Sequence, residues 1–338
     1  MLIKALAAIP SGREAGRRRA AVLLSALAAL AFAACAGSSG PPGAAPSDVV
    51  TSGEGNVFPV LANNTLAVGH NRFSLMLVDH EESPILDANV YLRFFDLTGE
   101  QPVIKSEADA RFIPMELYFT EDHPGSEKRP AGNNGTYVTS VDFDAPGRWG
   151  VDISVTMGGR QIELIPLQLD IMEESPEPAV GDPAPPSRQP TLADVTDIAE
   201  IDSSIPFRPN MHDITVADAL ATGRPLVVAF ATPAFCESRT CGPVMETVMD
   251  PLYEEYKDAA VFIHIEPYQL KELREGSGQI PVAATAEWGI HTEPWVFVVG
   301  RDGRVAAKFE GIVAPDEVET ALGAALAQPA PSPGGVGA

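Results

Sequence analysis

The chain has 338 residues, of which 46 are acidic and 23 basic, so its formal net charge is −23. A surface this acidic repels phosphate backbones, which argues against nucleic acid as a partner. The length suffices for two domains, and three cysteines are too few for a disulfide-rich scaffold.

A signal peptide is predicted over residues 1–34. The basic run Arg17–Arg19 precedes an apolar run over residues 20–34, which is too short to span a bilayer comfortably. The apolar run ends in Leu30-Ala31-Phe32-Ala33-Ala34-Cys35, which resembles a bacterial lipobox, although Phe32 stands where the pattern usually has leucine. The resemblance implies lipidation of Cys35, followed by a flexible tether over residues 35–54. We therefore expect a lipid-anchored protein on the extracytoplasmic face of the cell membrane. The alternative is ordinary cleavage nearby, with no role for Cys35.

Residues 55–172 are predicted to form a β domain. Apolar and polar residues alternate over Val151–Met157, and Gly158-Gly159 supplies a two-residue hairpin turn before the alternation resumes. Short strands with regular turns and no convincing helix favour an all-β, Ig-like sandwich. The stretch is also similar in architecture to the extracytoplasmic sandwich domains called YtkA-like, and this similarity assigns no functional residue.

The remaining chain is predicted to contain a spacer, an α/β domain and a tail. Residues 173–194 are acidic and rich in proline, which is typical of a semi-rigid linker, and residues 328–338 have the composition of a disordered tail. Residues 195–327 alternate strands and helices, which predicts a partly parallel sheet. The helical pattern over Val244–Tyr256 contains Pro251, which is expected to kink the helix or end its first part.

Two segments of the α/β domain carry the candidate chemistry. Cys236 and Cys241 follow a continuous apolar strand, and Gly289-Ile290-His291-Thr292-Glu293-Pro294 precedes another. Together they resemble the thioredoxin superfamily, in particular its membrane-anchored, TlpA-like branch. The resemblance implies a thioredoxin-like fold with Pro294 as a cis-proline facing the cysteine pair. It also implies thiol–disulfide exchange with exported proteins, which needs no cofactor.

The spacing of the cysteines departs from the family pattern, since four residues separate them instead of two. Within one helix, residues five apart rise about 7.5 Å and point in different directions, beyond the reach of a disulfide. The pair can therefore close only if Cys236 lies in a loop and the helix begins near Cys241. Cys236 is favoured as the attacking cysteine and Cys241 as the resolving one. However, Cys241-Gly242-Pro243 also matches the start of the family's Cys-Gly-Pro-Cys.

Two other functions stay open. Sco-type copper-delivery proteins share this fold, and Cys236, Cys241 and His291 would offer copper two thiolates and an imidazole. Alternatively, the pair is a structural disulfide in a binding lipoprotein without catalytic activity. The sequence suggests no function for two further histidines. His264 lies inside a buried strand, and His212 has no evident partner.

Overall fold

The computed structural model describes residues 50–51, 57–119 and 129–329. The predicted signal peptide, Cys35, most of the tether and residues 330–338 of the tail lie outside these ranges. Within the described ranges, no helix is long and apolar enough to cross a bilayer. All described residues belong to one compact unit.

The N-terminal part is built entirely of strands, as the alternating pattern predicts. Gly158 and Gly159 both adopt positive φ, at +54° and +77°, and close the predicted hairpin. The strands are β1 Val50–Thr51, β2 Phe58–Leu61, β3 Gly69–Val78, β4 Asn89–Asp96, β5 Val103–Phe119, β6 Arg129–Phe143, β7 Gly147–Met157, β8 Arg160–Glu163 and β9 Leu167–Ile171.

These nine strands form one curled sheet instead of the two separate sheets expected of a sandwich. Its order is β1-β8-β7-β4-β5-β6-β3-β2, with β9 paired to β7. The 17-residue strand β5 joins the two halves, because Val103–Ala110 pairs with β4 and Arg111–Phe119 pairs with β6. Sequence patterning missed β5, since Pro114 and several charged residues interrupt its apolar positions.

Aromatic side chains fill the space enclosed by the curl. Phe73, Phe94, Phe143 and Trp149 are fully or almost fully buried and meet edge to face, with ring centroids 4.9–6.2 Å apart. The Trp149 indole N–H donates to the Ala145 carbonyl at 2.9 Å, so its polar atom stays satisfied inside the core.

The C-terminal part has the predicted mixed sheet, in the order β11-β10-β12-β13. Strand β10 pairs in parallel with β11 and antiparallel with β12, and β13 completes the antiparallel edge. The strands are β10 Leu226–Phe230, β11 Val261–Ile265, β12 Trp295–Val299 and β13 Val305–Glu310. The helices are α1 Val216–Leu220, α2 Cys241–Val244, α3 Asp250–Tyr256, α4 Leu270–Arg274, α5 Ala283–Glu287 and α6 Pro315–Leu326.

Pro251 does not end the helix that follows the cysteines. A single π-helical turn, Met245–Met249, joins α2 to α3, and the Asp250 N–H donates to the Met245 carbonyl. The wider turn gives the chain an extra residue just before Pro251, whose ring would otherwise meet the preceding turn. Helical structure therefore continues from Cys241 to Tyr256.

The two parts share a core and a partly buried ion pair. Ile113, Met115 and Val138 of the curled sheet belong to the same hydrophobic cluster as Val244 and Leu322 of the C-terminal part. Beside this cluster, the Arg72 guanidinium binds both oxygens of Glu317 at 2.7 and 3.0 Å and donates to the Ile312 carbonyl at 2.8 Å.

The segment predicted as a spacer, residues 173–194, is packed onto the rest of the protein. Gly181 and Ala184 donate backbone hydrogen bonds to Val305 and Gly303, and Asp182 accepts one from Val305. Ala184 is buried in the core below the second sheet, and Glu177 is only 2% exposed. Proline-rich chain is extended, so it can pair along a sheet edge where its missing N–H groups face away. Composition alone does not distinguish that use from a free linker.

Candidate functional site

Cys236 and Cys241 form a disulfide at the end of the loop that joins β10 to α2. Their Cα atoms are 6.0 Å apart, within the usual range for a disulfide. Cys236 lies in the loop and α2 begins at Cys241, so the expectation drawn from the spacing is confirmed. Cys236 is 8% exposed and Cys241 is fully buried, so Cys236 is the more accessible of the two residues.

Backbone hydrogen bonds define the shape of the loop. The N–H groups of Phe235 and Cys236 both donate to the Thr232 carbonyl, at 3.1 and 2.9 Å. The Arg239 N–H then donates to the Cys236 carbonyl at 3.1 Å, with Arg239 at a φ of +60°. Two tight turns thereby accommodate the four residues between the cysteines and bring the sulfur atoms together.

The Cys236 sulfur faces polar hydrogens at the start of the helix. The Cys241 N–H points at it from 3.4 Å, and the Ser238 hydroxyl lies 3.1 Å away. Such donors stabilise a thiolate, and so does the positive end of the helix dipole. After reduction, Cys236 is therefore the better placed of the two to carry negative charge.

The second segment lies against the disulfide. The Glu293–Pro294 peptide bond is cis, as the thioredoxin resemblance implies, and Trp295 begins β12 directly after it. A carboxylate oxygen of Glu293 and the two cysteine sulfurs all lie within 4.8 Å of one another. The structure thus brings Cys236, Cys241 and Pro294 to one place and adds Glu293, which sequence reasoning passed over.

Glu293 is suited to proton transfer beside the sulfurs. Burial raises the pKa of Glu293 to about 7, opposed by a hydrogen bond from the Thr232 hydroxyl at 2.6 Å and reinforced by the nearby Glu237. A carboxyl group that titrates near neutrality can donate or accept a proton at physiological pH. The sequence signal that could have identified Glu293 is its position immediately before Pro294.

His291 does not join this group. Its side chain is exposed, whereas the metal-ligating atoms gathered around the disulfide in the described part of the chain come from Cys236, Cys241 and Glu293. The ligand set considered for copper is therefore not assembled here, and copper binding stays a prediction.

The curled sheet covers one side of the disulfide helix. The Tyr118 ring, near the end of β5, lies so close to Gly242 that a Cβ atom at Gly242 would sit 3.0 Å from the Tyr118 hydroxyl. Glycine at this position therefore permits the close approach of β5. Burial, and then a hydrogen bond with Glu246, raises the pKa of Tyr118 well above its usual value.

A cleft of about 260 Å³ lies between the curled sheet and the disulfide loop. Asn64, Ser74 and Asn134 line it on the sheet side, and Thr240 and Glu293 line it on the side of the disulfide. Its floor includes Glu310, held by Asn64 through a side-chain hydrogen bond of 2.7 Å. The cleft therefore combines these polar groups with apolar side chains such as Met76 and Ile312, and it borders the Glu293 side of the disulfide.

Comparison with known proteins gives limited guidance. No protein-family model and no curated protein matches the chain. Among solved structures, the chain is similar to a putative thiol:disulfide interchange protein DsbE from Chlorobium tepidum, with 18% sequence identity and a TM-score of 0.30. The match covers 44% of this chain and 99% of that one. At this level of similarity, the case for function rests on the site itself.

Proposed function

We propose that the protein is a membrane-anchored, extracytoplasmic thiol–disulfide oxidoreductase that acts on exported proteins through Cys236 and Cys241. One observation carries the proposal: the disulfide joins a loop cysteine to the first residue of a helix, beside a cis-proline and a carboxyl group that titrates near neutrality. A disulfide that only staples a loop needs neither the thiolate-stabilising donors nor Glu293.

The order of the reaction steps follows from which cysteine sulfur is accessible to a substrate. In the oxidising direction, a substrate thiolate attacks the Cys236 sulfur; the bond to Cys241 breaks, and Cys241 leaves as a thiolate that takes a proton from Glu293. A second substrate thiolate then attacks the substrate sulfur of the mixed disulfide and releases Cys236 as a thiolate. The substrate gains a disulfide and loses two electrons, which the protein keeps as a dithiol. The same steps run backwards reduce a substrate disulfide.

The cleft beside the disulfide supports a protein substrate. The polar groups of its lining can exchange hydrogen bonds with the backbone of an extended segment that carries the reacting cysteine. We propose that the curled sheet serves to orient that segment. The lipid anchor at Cys35 would keep the site close to newly exported chains.

Trapping of the mixed disulfide tests the proposal. The reduced Cys241→Ser variant retains the Cys236 thiol and should accumulate a stable adduct with a peptide disulfide, measured by intact mass. The matched Cys236→Ser variant should form much less adduct, because Cys241 is buried. In the wild-type protein the adduct should resolve, and both variants should lose catalytic turnover. Equal turnover in the wild type and both variants would mean that the disulfide is structural.

Titration of the reduced protein with Cu(I) distinguishes copper delivery from thiol–disulfide exchange. Under the redox proposal, His291→Ala leaves thiol–disulfide exchange intact. Tight Cu(I) binding that weakens in His291→Ala, without exchange activity, would favour copper delivery.

A further inference from the structure

A second cluster of chemically active side chains lies behind the disulfide loop. Asp202, His212 and His264 are 0%, 3% and 1% exposed, and one potential ligand atom from each lies within 4.8 Å of the other two. The distance from Asp202 Oδ2 to His212 Nε2 is 3.4 Å, and from Asp202 Oδ1 to His264 Nδ1 it is 3.7 Å. The three residues come from separate segments that only the fold brings together.

The carboxylate of Asp202 is fixed in place by backbone donors. Its Oδ1 accepts the Ser204 N–H and its Oδ2 accepts the Arg208 N–H, both at 2.7 Å. The Arg208 guanidinium is turned away from it and forms a two-point ion pair with Asp250, at 2.7 and 2.8 Å. The carboxylate thus keeps its orientation towards the two histidines.

In each histidine, the ring nitrogen that faces Asp202 makes no hydrogen bond. His264 uses Nε2 to donate to the Ala231 carbonyl at 2.9 Å, which in the neutral ring leaves a lone pair on Nδ1. Neither His264 Nδ1 nor His212 Nε2 makes a hydrogen bond, although both are buried. The lone pair on His264 Nδ1 and the Asp202 carboxylate repel each other in this dry interior unless a cation lies between them.

We propose that Asp202, His212 and His264 bind a divalent transition-metal ion, with Zn²⁺ as the ion that this donor set favours. Two imidazoles and one carboxylate suit Zn²⁺ better than Mg²⁺ or Ca²⁺, which prefer oxygen ligands. In a tetrahedral zinc site, neighbouring ligand atoms lie about 3.4 Å apart, given metal–ligand bonds of about 2.1 Å. The spacing of 3.4 Å between Asp202 Oδ2 and His212 Nε2 equals this value, and one ligand atom from each of the three residues lies within 4.8 Å of the other two.

The hydrogen bond of His264 fits the same role. A ligating histidine commonly donates its other ring N–H to a carbonyl or carboxylate, which fixes the tautomer and the orientation of the ring. Ala231 supplies that carbonyl at the end of β10, five residues before Cys236. Ser203, next to Asp202, also accepts the Ala234 N–H at 3.2 Å. The site therefore lies against the segment that leads to the disulfide.

The two histidines also border a cavity. His212 and His264 line a space of about 550 Å³, together with Glu266 and Tyr268. Glu266 lies on the other edge of the His264 ring, with Oε1 3.8 Å from Nε2, so it is not one of the three ligands. Three protein ligands leave the fourth position of a tetrahedral zinc site to a bound water.

Metal binding by the full-length protein with its disulfide intact tests the proposal. Titration with Zn²⁺, followed by calorimetry, should show one tight site, and bound Co²⁺ should give the d–d absorption of a four-coordinate site. His212→Gln and His264→Gln should each weaken Zn²⁺ binding by about 100-fold or more, since loss of a second-shell partner alone costs about 10- to 100-fold. The control His291→Gln removes an exposed histidine of the same unit and should leave the affinity unchanged.

Two results would overturn the proposal. The first is the absence of a saturable Zn²⁺ site in the wild-type protein, in which case a shared proton holds the cluster together. The second is Zn²⁺ binding by all three histidine variants with the affinity of the wild type. The wild-type titration needs no variant, so it decides even where a variant fails to fold.

Discussion

Replacement of Glu293 by glutamine should change how stability depends on pH. The pKa of Glu293 rises from 4.5 to about 7 in the folded protein, which corresponds to about 3 kcal/mol of differential interaction. Because the folded-state pKa is the higher one, this contribution to stability is fully present below pH 4.5 and is lost as the pH rises through 7. Glutamine can keep the hydrogen bond from Thr232 and cannot ionise. The variant should therefore become more stable relative to the wild type, by about 3 kcal/mol, between pH 4.5 and pH 8.5.

Urea denaturation of both proteins with the disulfide intact, at pH 4.5 and at pH 8.5, measures this change. Buried acids that do not interact with Glu293 titrate alike in both proteins and cancel in the difference. The charge of Glu293 raises the pKa of Glu266, so the loss of that charge adds to the change in the same direction. A difference between variant and wild type that stays constant, within about 0.5 kcal/mol, across this range would refute the reasoning. Glu293 would then be ionised throughout and could not supply a proton to a leaving thiolate.

Three further substitutions test the fold and the anchor. Arg72→Ala should destabilise the protein by about 3 kcal/mol in urea denaturation, because it leaves Glu317 partly buried without its ion-pair partner. Unfolding should stay a single transition, and a separate early transition of one part would contradict the shared core. Gly242→Ala should cost about 1–3 kcal/mol in thermal or chemical unfolding by forcing its new methyl group against Tyr118, and most of that loss should disappear in a Tyr118→Leu background. Cys35→Ala should move the protein from the membrane fraction to the soluble fraction, and an unchanged distribution on fractionation would argue against lipidation.

Local signals in the sequence predicted much of the disulfide site. A continuous apolar strand before Cys236, and Gly242-Pro243 after Cys241, were enough to place a loop and then a helix start. The position of Pro294 before an apolar strand indicated the second segment of the site. These features depend on a few neighbouring residues, so they can be read without knowledge of the rest of the chain.

Features that depend on distant partners could not be predicted in the same way. Sequence alone gave His212 no partner and made His264 a satisfied core residue, because the carboxylate they share belongs to Asp202, in a loop with no marked pattern. Likewise, nothing in the composition of residues 173–194 indicates that their backbone pairs with residues 303–305. In both cases the partner lies far along the chain and is chosen by the fold.

The packing of β5 against the disulfide helix also determines whether the C-terminal part can be used by itself. Ile113, Met115 and Val138 cover apolar side chains of that part, including Val244 only three residues from Cys241. A fragment that begins at residue 173 would leave this apolar face bare next to the disulfide and would remove Arg72, the ion-pair partner of Glu317. Alone or fused to another protein, such a fragment would self-associate through the face beside the disulfide. Engineering of the disulfide site should therefore keep the whole span from β2 to α6.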